Sequence, residues 1–171
     1  MKVERLTAET ATQVLPELVT LLQDAVNSGA SIGFLLPITD EEAANYWQEV
    51  VEALRGPNRI LLVARVDEKV VGTVQLDLAS RANGSHRAEV AKLMVHTSYR
   101  KRGIGQALMN AIKHEAQLTG RTTLILDMRE GDPSERLYTE LGYIRAGTIP
   151  EYARSTDGSL HSTVFMYKLL K

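Results

Sequence analysis

The chain has 171 residues, enough to bury one sizeable core and short for two, so a single domain over 1–171 is expected. Hydrophobic residues make up 44% and charged residues 24%, and Lys plus Arg (20) nearly balance Asp plus Glu (21), which leaves no global field to favour nucleic acid or an anionic membrane as a partner. No window approaches the ~20 apolar residues of a membrane span, and zero cysteines exclude disulfides, thiolate zinc sites and a Cys nucleophile.

Met1 to Thr10 lacks an apolar h-region and reads as a strand at Lys2–Leu6, so the expected location is cytoplasmic. Leu15, Leu18, Leu22 and Val26 then recur at helical spacing, with Pro16 tolerated in a first turn and Asn27-Ser28-Gly29 as the stop. After the Gly-rich stretch Gly29–Pro37, Thr39-x-x-Glu42 matches a capping box ahead of Ala43, Trp47, Val50, Val51 and Leu54. That second helix breaks at Gly56-Pro57. The β-branched runs Ile60–Val66 and Val70–Leu78 flank Asp67-Glu68-Lys69 as in a hairpin. Beyond the loop Ser80–His86 come an apolar run, Val90–Val95, a basic turn, and a helix carrying Ile104, Leu108, Ala111, Ile112 and Glu115, ended by Gly120. Thr122–Met128 reads as a strand, Ser134–Leu141 as a short helix closed by Gly142, and Tyr143–Ile149 and Ser162–Leu169 as two last strands. This order predicts an α/β (α+β) fold: a mixed sheet of six to seven strands with helices on both faces. A right-handed crossover makes the Val90 and Thr122 strands parallel neighbours, with a ligand at their carboxyl ends.

The turn into the third long helix, Arg100-Lys101-Arg102-Gly103-Ile104-Gly105-Gln106, contains R-x-x-G-x-G. The first N–H groups of a helix lack intrahelical partners, and glycines let an anion approach the backbone closely. The helix dipole offers only ~0.3–1 kcal/mol per charge, so converging amides must supply most of any phosphate affinity. The pattern is neither a Walker A loop nor a dinucleotide fingerprint, and a basic surface turn whose glycines merely suit the backbone is the alternative.

Together, Val90–Val95, Arg100-x-x-Gly103-x-Gly105 and Leu137-Tyr138-Thr139-Glu140-Leu141-Gly142-Tyr143 resemble the two signature regions of the GNAT superfamily of N-acetyltransferases, and the element order agrees across nearly the whole chain. The resemblance implies acetyl-CoA as co-substrate and no metal. It further implies that amides of Arg100, Lys101, Arg102, Gly103, Ile104, Gly105 and Gln106 bind pyrophosphate, that Leu93, Met94 and Val95 line the pantetheine, and that the parallel central strands splay apart to admit it. One departure stands out. Where the family often has Asn and Ala before its Leu-Tyr, this chain has Gly131 and Ser134, which makes Ser134 the candidate substitute for the Asn contact. Gly29–Phe34, Asn83-Gly84, Arg87–Val95 and Pro150 through Thr163 also resemble one branch, the tabtoxin-resistance acetyltransferases, whose acceptor is a β-lactam amino-acid toxin.

By spacing alone Tyr138 is a packed aromatic; the resemblance implies that it donates a hydrogen bond to the departing CoA sulfur. Glu89 and Asp127 are carboxylates in otherwise apolar strands, and buried acids are costly unless paired. Either they form structural pairs with Arg87, Lys92 or Arg129, or they hold and deprotonate the acceptor amine. Phe34, Tyr152 and His161 are candidate pocket residues, with packing as the alternative for His161. None of the four histidines shows metal-ligand spacing, and no G-x-S-x-G elbow appears. The expected activity is transfer of acetyl from acetyl-CoA to a small polar amine, the rival being a module of the same fold that binds acyl-CoA without turnover. Homodimers are common in that family, although no exposed apolar stripe in the sequence compels one.

Overall fold

The computed structural model describes residues 1–171. Its elements are β1 (Lys2–Leu6), α1 (Ala8–Gln13), α2 (Leu15–Asn27), α3 (Asp40–Leu54), β2 (Arg59–Val66), β3 (Lys69–Leu78), β4 (Arg87–Val95), α4 (Ile104–Leu118), β5 (Thr123–Arg129), α5 (Ser134–Glu140), β6 (Ile144–Arg154) and β7 (Leu160–Leu169). Short 3₁₀ turns occupy Ala82–Gly84 and Thr97–Tyr99. No helix is long and apolar enough to cross a membrane.

Local chemistry explains most boundaries. Thr7 caps α1 reciprocally with Thr10, and this six-residue helix, with no apolar periodicity of its own, has no counterpart in the sequence reading. Pro16 sits in the first turn of α2, where its missing N–H costs nothing. Thr39 Oγ1 accepts from Glu42 N–H at 3.0 Å, so one half of the expected capping box forms. Asp67 (φ 47°) and Glu68 (φ 66°) make the two-residue β2–β3 turn, a pair of left-handed residues that requires no glycine here.

The seven strands form one mixed sheet in the order β1-β2-β3-β4-β5-β7-β6, antiparallel except for β4–β5. Two cores cover its faces. Against one, α1, α2 and α3 pack Leu18, Leu22, Trp47 and Val50 onto Leu61, Val63 and Met94. Against the other, α4 and α5 pack Ile104, Leu108, Ile112 and Tyr138 onto Leu62, Val74, Val90, Leu124 and Leu126. Gly72 allows this second approach, because a Cβ there would lie 3.0 Å from both Leu108 Cδ1 and Met94 O.

The sheet is unevenly covered. Helices α1–α3 pack mainly on β1–β4, so the same face of β5, β7 and β6 is left largely without a helix. β6 pairs only with β7 and is exposed along nearly its whole length, leaving Ile144, Ile149 and Tyr152 open to solvent together with Leu160 of β7. These apolar side chains are exposed because the edge strand has no layer above it.

Candidate active site

The parallel pair is joined only at its base. β4 and β5 register at Arg87–Thr123, Ala88–Leu124 and Glu89–Ile125, and from Val90 and Leu126 onward they are no longer paired. A β-bulge on β4 coincides with the split. On β3, Thr73 faces Met94 and Gln75 faces Ala91, so β4 carries one extra residue between them, and Lys92 there adopts φ 55°. The bulge shifts the alternation of side chains by one. Ala88 and Val90 face the α4 core, as do Leu93 and Val95, whereas Met94 is buried in the opposite core and pairs with Thr73. Met94 is therefore corrected from a cofactor-lining residue to a structural one. His96 N–H donates to Val71 O of β3 at 2.8 Å, so the main-chain groups of Val95, one residue back, face the split.

The chain then forms the 3₁₀ turn and enters α4. Lys101 (φ 60°) and the N-cap Gly103 (φ 78°) are both left-handed. Ala107 N–H opens the helical ladder on Gly103 O, and no protein acceptor meets the N–H groups of Lys101 through Gln106. This is a concave set of free donors at a positive helix end. Asp24 of α2 braces it, accepting from Thr97 N–H at 2.8 Å and Thr97 Oγ1 at 2.7 Å. The Arg100 side chain is a brace as well: Nε donates to Val95 O at 3.0 Å and Nη2 to Ser28 Oγ at 2.9 Å. It therefore does not face an anion, and the exposed side chains left to do so are Lys101 and Arg102, the latter over the Tyr99 ring. Ile104 is buried and offers only its amide.

α5 closes the α4 side. Leu137 Cδ2 stands 3.4 Å from where a Cβ on Gly105 would lie, which docks α5 against the start of α4. Tyr138 is buried on this face, edge-on to Tyr143 at 6.0 Å. Burial, opposed by the Ser134 hydroxyl, pushes its pKa up to about 12; Asp132 and Asp127 push in the same direction. Ser134 is already engaged, its Oγ donating to Asp132 Oδ1 at 2.6 Å and its N–H to the same oxygen at 2.9 Å. That local turn satisfies the start of α5, so Ser134 replaces the family Asn poorly. Gly131 is left-handed (φ 80°) with nothing within 4 Å of a Cβ placed on it.

On the opposite face, where the α1–α3 layer ends and β5 is left bare, lie Glu89 and Asp127, each alternating with residues of the α4 core. Neither has an ion-pair partner within 4 Å, so the structural pairings with Arg87, Lys92 or Arg129 do not form. Burial raises the Glu89 pKa, and the carboxylates of Asp127 and Asp77 raise it further against Lys92 and Arg59. Asp77 is a site residue that sequence reasoning passed over. It faces Glu89 across β3–β4, and Arg59 binds it at 3.4 Å and Gln75 Oε1 at 2.9 Å. The only hint was the polar pair Gln75 and Asp77 at alternate positions of an apolar strand.

The loop 28–37 roofs this face. Ser31 Oγ lies 3.4 Å from His161 Nε2, and Leu36 N–H donates to Thr156 Oγ1 at 3.1 Å. His161 thus touches the roof. Phe34 packs edge-on to Tyr46 at 5.2 Å and lines a cavity of about 530 Å³ with Glu41, Glu42 and Glu49. Tyr152 packs on Phe165 at 5.5 Å, but is half exposed on β6 rather than enclosed.

A family model described as the acetyltransferase (GNAT) family matches residues 22–143, a span running from α2 through the split, the donor turn and α5. The chain belongs to the GNAT acetyltransferase family. An uncharacterized N-acetyltransferase of the hisH-hisA intergenic region of Azospirillum brasilense is 33% identical over 118 residues, 68% of each chain. The ribosomal-protein-alanine N-acetyltransferase of Brucella melitensis superposes with a TM-score of 0.82 at 22% identity, covering 99% of this chain and 100% of its own. An acetyltransferase, yncA, from Salmonella typhimurium, solved with acetyl-CoA, gives 0.78 at 18% identity, covering 100% and 94%. These last two share the fold. In GNAT terms, the mixed seven-stranded sheet with its single parallel pair is the expected architecture, and this acetyltransferase departs from the family's motif at Gly131 and Ser134.

Proposed function

We propose that the protein transfers acetyl from acetyl-CoA to the amine of a small polar molecule by direct attack in a ternary complex. One observation carries the reading: the β4–β5 split joins the two faces of the sheet, with a phenol on one face, two carboxylates on the other, and a set of unpartnered N–H donors at its end.

Acetyl-CoA supplies the acyl group as a thioester. The free amides of Lys101 through Gln106, with the Lys101 and Arg102 side chains, fit its pyrophosphate, and the β4 edge at Leu93 and Val95 offers main-chain groups to the pantetheine. Val95 O is already taken by Arg100, which leaves Val95 N–H as the donor on that edge. Tyr138, buried on the α4 side of the sheet, is the phenol suited to the departing sulfur. With a pKa of about 12 against ~8.5 for a thiol, full proton transfer is uphill by ~5 kcal/mol, so Tyr138 stabilises the sulfur by hydrogen bonding.

An alkyl ammonium of pKa ~10 costs ~4 kcal/mol to deprotonate at pH 7. Glu89, its pKa raised and its carboxylate free of ion pairs, is suited to accept that proton, directly or through water, with Asp127 beside it to hold the ammonium. The acceptor then enters beneath the loop 28–37, where Phe34 and His161 stand. The resemblance of this loop and of Pro150–Thr163 to tabtoxin-resistance acetyltransferases supports a toxin or antibiotic acceptor. The test is release of free thiol from acetyl-CoA across a panel of amino acids, amine antibiotics and peptide N-termini. Tight CoA binding with no thiol from any amine would make the protein a non-catalytic acyl-CoA module instead.

A further inference from the structure

Under the loop 28–37, polar atoms are left without partners. Arg129 Nε is buried with no hydrogen bond, and its other nitrogens make only long contacts, 3.4 Å to Gly29 O and 3.4 Å to Ser155 Oγ. His161 Nδ1 is likewise buried and unpaired. Lys92 is half-buried, yet its ammonium makes no hydrogen bond and no ion pair; Nζ lies 3.7 Å from the point a Cβ on Gly33 would occupy, directly beneath the roof. Buried polar groups are almost always satisfied, so Arg129 Nε and His161 Nδ1, orphaned against one loop, signal a ligand that satisfies them, with the Lys92 ammonium, still open to solvent, as the free cation beside them.

The backbone aims Lys92 there at a cost. A lysine at φ 55° occupies the left-handed region that non-glycine residues avoid, and the β-bulge is what turns it out of alternation onto the floor shared with Glu89 and Asp127. The groups facing its ammonium are Asp127, Glu89 and Arg59; burial lowers its pKa while the two carboxylates oppose that shift. Arg129 projects to the same face two residues after Asp127 on β5. The floor therefore presents two free carboxylates beside two under-used cations.

We infer that the acceptor carries an anionic group as well as its amine, and that Lys92, with Arg129 as the second cation, is the residue that selects it as a carboxylate. The inference rests on the amine-transfer reading above and deepens it. A purely cationic acceptor would meet Glu89 and Asp127 favourably but set its further positive charges against Lys92 and Arg129. Two of the three glutamates around Phe34, Glu41 and Glu42, stand in the first turn of α3, where the helix dipole itself favours them.

The test compares matched acceptors with intact protein in the thiol-release assay: L-lysine against cadaverine, L-ornithine against putrescine, and L-phenylalanine against phenethylamine, with kanamycin as a polycation. The carboxylate-bearing member should show the lower KM by about 10–100-fold, the range of one or two charge-assisted hydrogen bonds. Lys92→Met should bring that ratio close to one, whereas Lys92→Arg should retain most of it. Equal or better turnover of the decarboxylated amines or kanamycin by the wild-type protein overturns the inference without any variant, and so does a ratio that survives Lys92→Met. Failure of every amine while CoA still binds refutes the transfer reading itself, and the selection of a carboxylate falls with it.

Discussion

Tyr138→Phe isolates a single hydroxyl. The ring is retained in its buried place against Tyr143, and the only protein group lost to the hydroxyl is Ser134, which keeps its bond to Asp132, so stability should change by about 1 kcal/mol. A hydrogen bond to a developing thiolate is worth about 1.5–3 kcal/mol, which sets the expected loss of kcat at about 10- to 150-fold. Acetyl-CoA affinity should hold within about threefold, because the bond strengthens only as charge forms on sulfur. Steady-state thiol release at saturating acetyl-CoA gives kcat, and calorimetric titration gives the affinity. With the phenol at about 12, the wild-type rate should show no alkaline decline from Tyr138 below about pH 10. An unchanged kcat in Tyr138→Phe refutes the role. A loss beyond about 10⁴-fold refutes the arithmetic, since it would require full proton donation from a group too weakly acidic to provide it.

The pH profile tests the opposite face: Glu89 must be ionised to act, so the rate rises with pH on a limb above the ordinary glutamate range, and Glu89→Gln should flatten that limb. Because the Asp127 charge raises the Glu89 pKa, Asp127→Asn should move the limb to lower pH while lowering its plateau; movement to higher pH would count against the coupling. Gly103→Ala forces a Cβ into a left-handed position with open space around it, so the cost is backbone alone, about 1–2 kcal/mol or about 2–8 °C in Tm, together with weakened CoA binding. Gly105→Ala meets only an ordinary 3.4 Å contact with Leu137 and should leave melting and CoA titration near wild type, so a larger effect there than at Gly103 would refute the donor-turn geometry. Gly131→Asn places a residue that tolerates the left-handed region into open space and should tighten CoA about fivefold, as one net hydrogen bond of about 1 kcal/mol would.

Much of this was legible in the chain because it is local. Hydrophobic periodicity located every strand and all the helices except α1, and right-handed crossover was enough to make β4 and β5 parallel. The donor turn was readable because Gly103 sits where the backbone turns left-handed, directly before a helix start. The side chain of Arg100 was not: its place in the motif says nothing of Ser28, 72 residues away, whose hydroxyl it binds. Met94 was misassigned for a related reason. Strict alternation along Val90–Val95 hides a bulge that depends on β3, and one extra residue exchanges the faces of all that follow.

What the sequence determined by itself is the set of elements and the single glycine-flanked turn of free N–H donors, since both follow from interactions within a few residues. The tertiary structure decided which side of the sheet each functional group occupies. Register, bulge and layer contact are set between strands far apart in the chain. Only those placed Tyr138 behind the split, Glu89 and Asp127 in front of it, and Lys92 beneath a roof formed by a loop some 60 residues earlier.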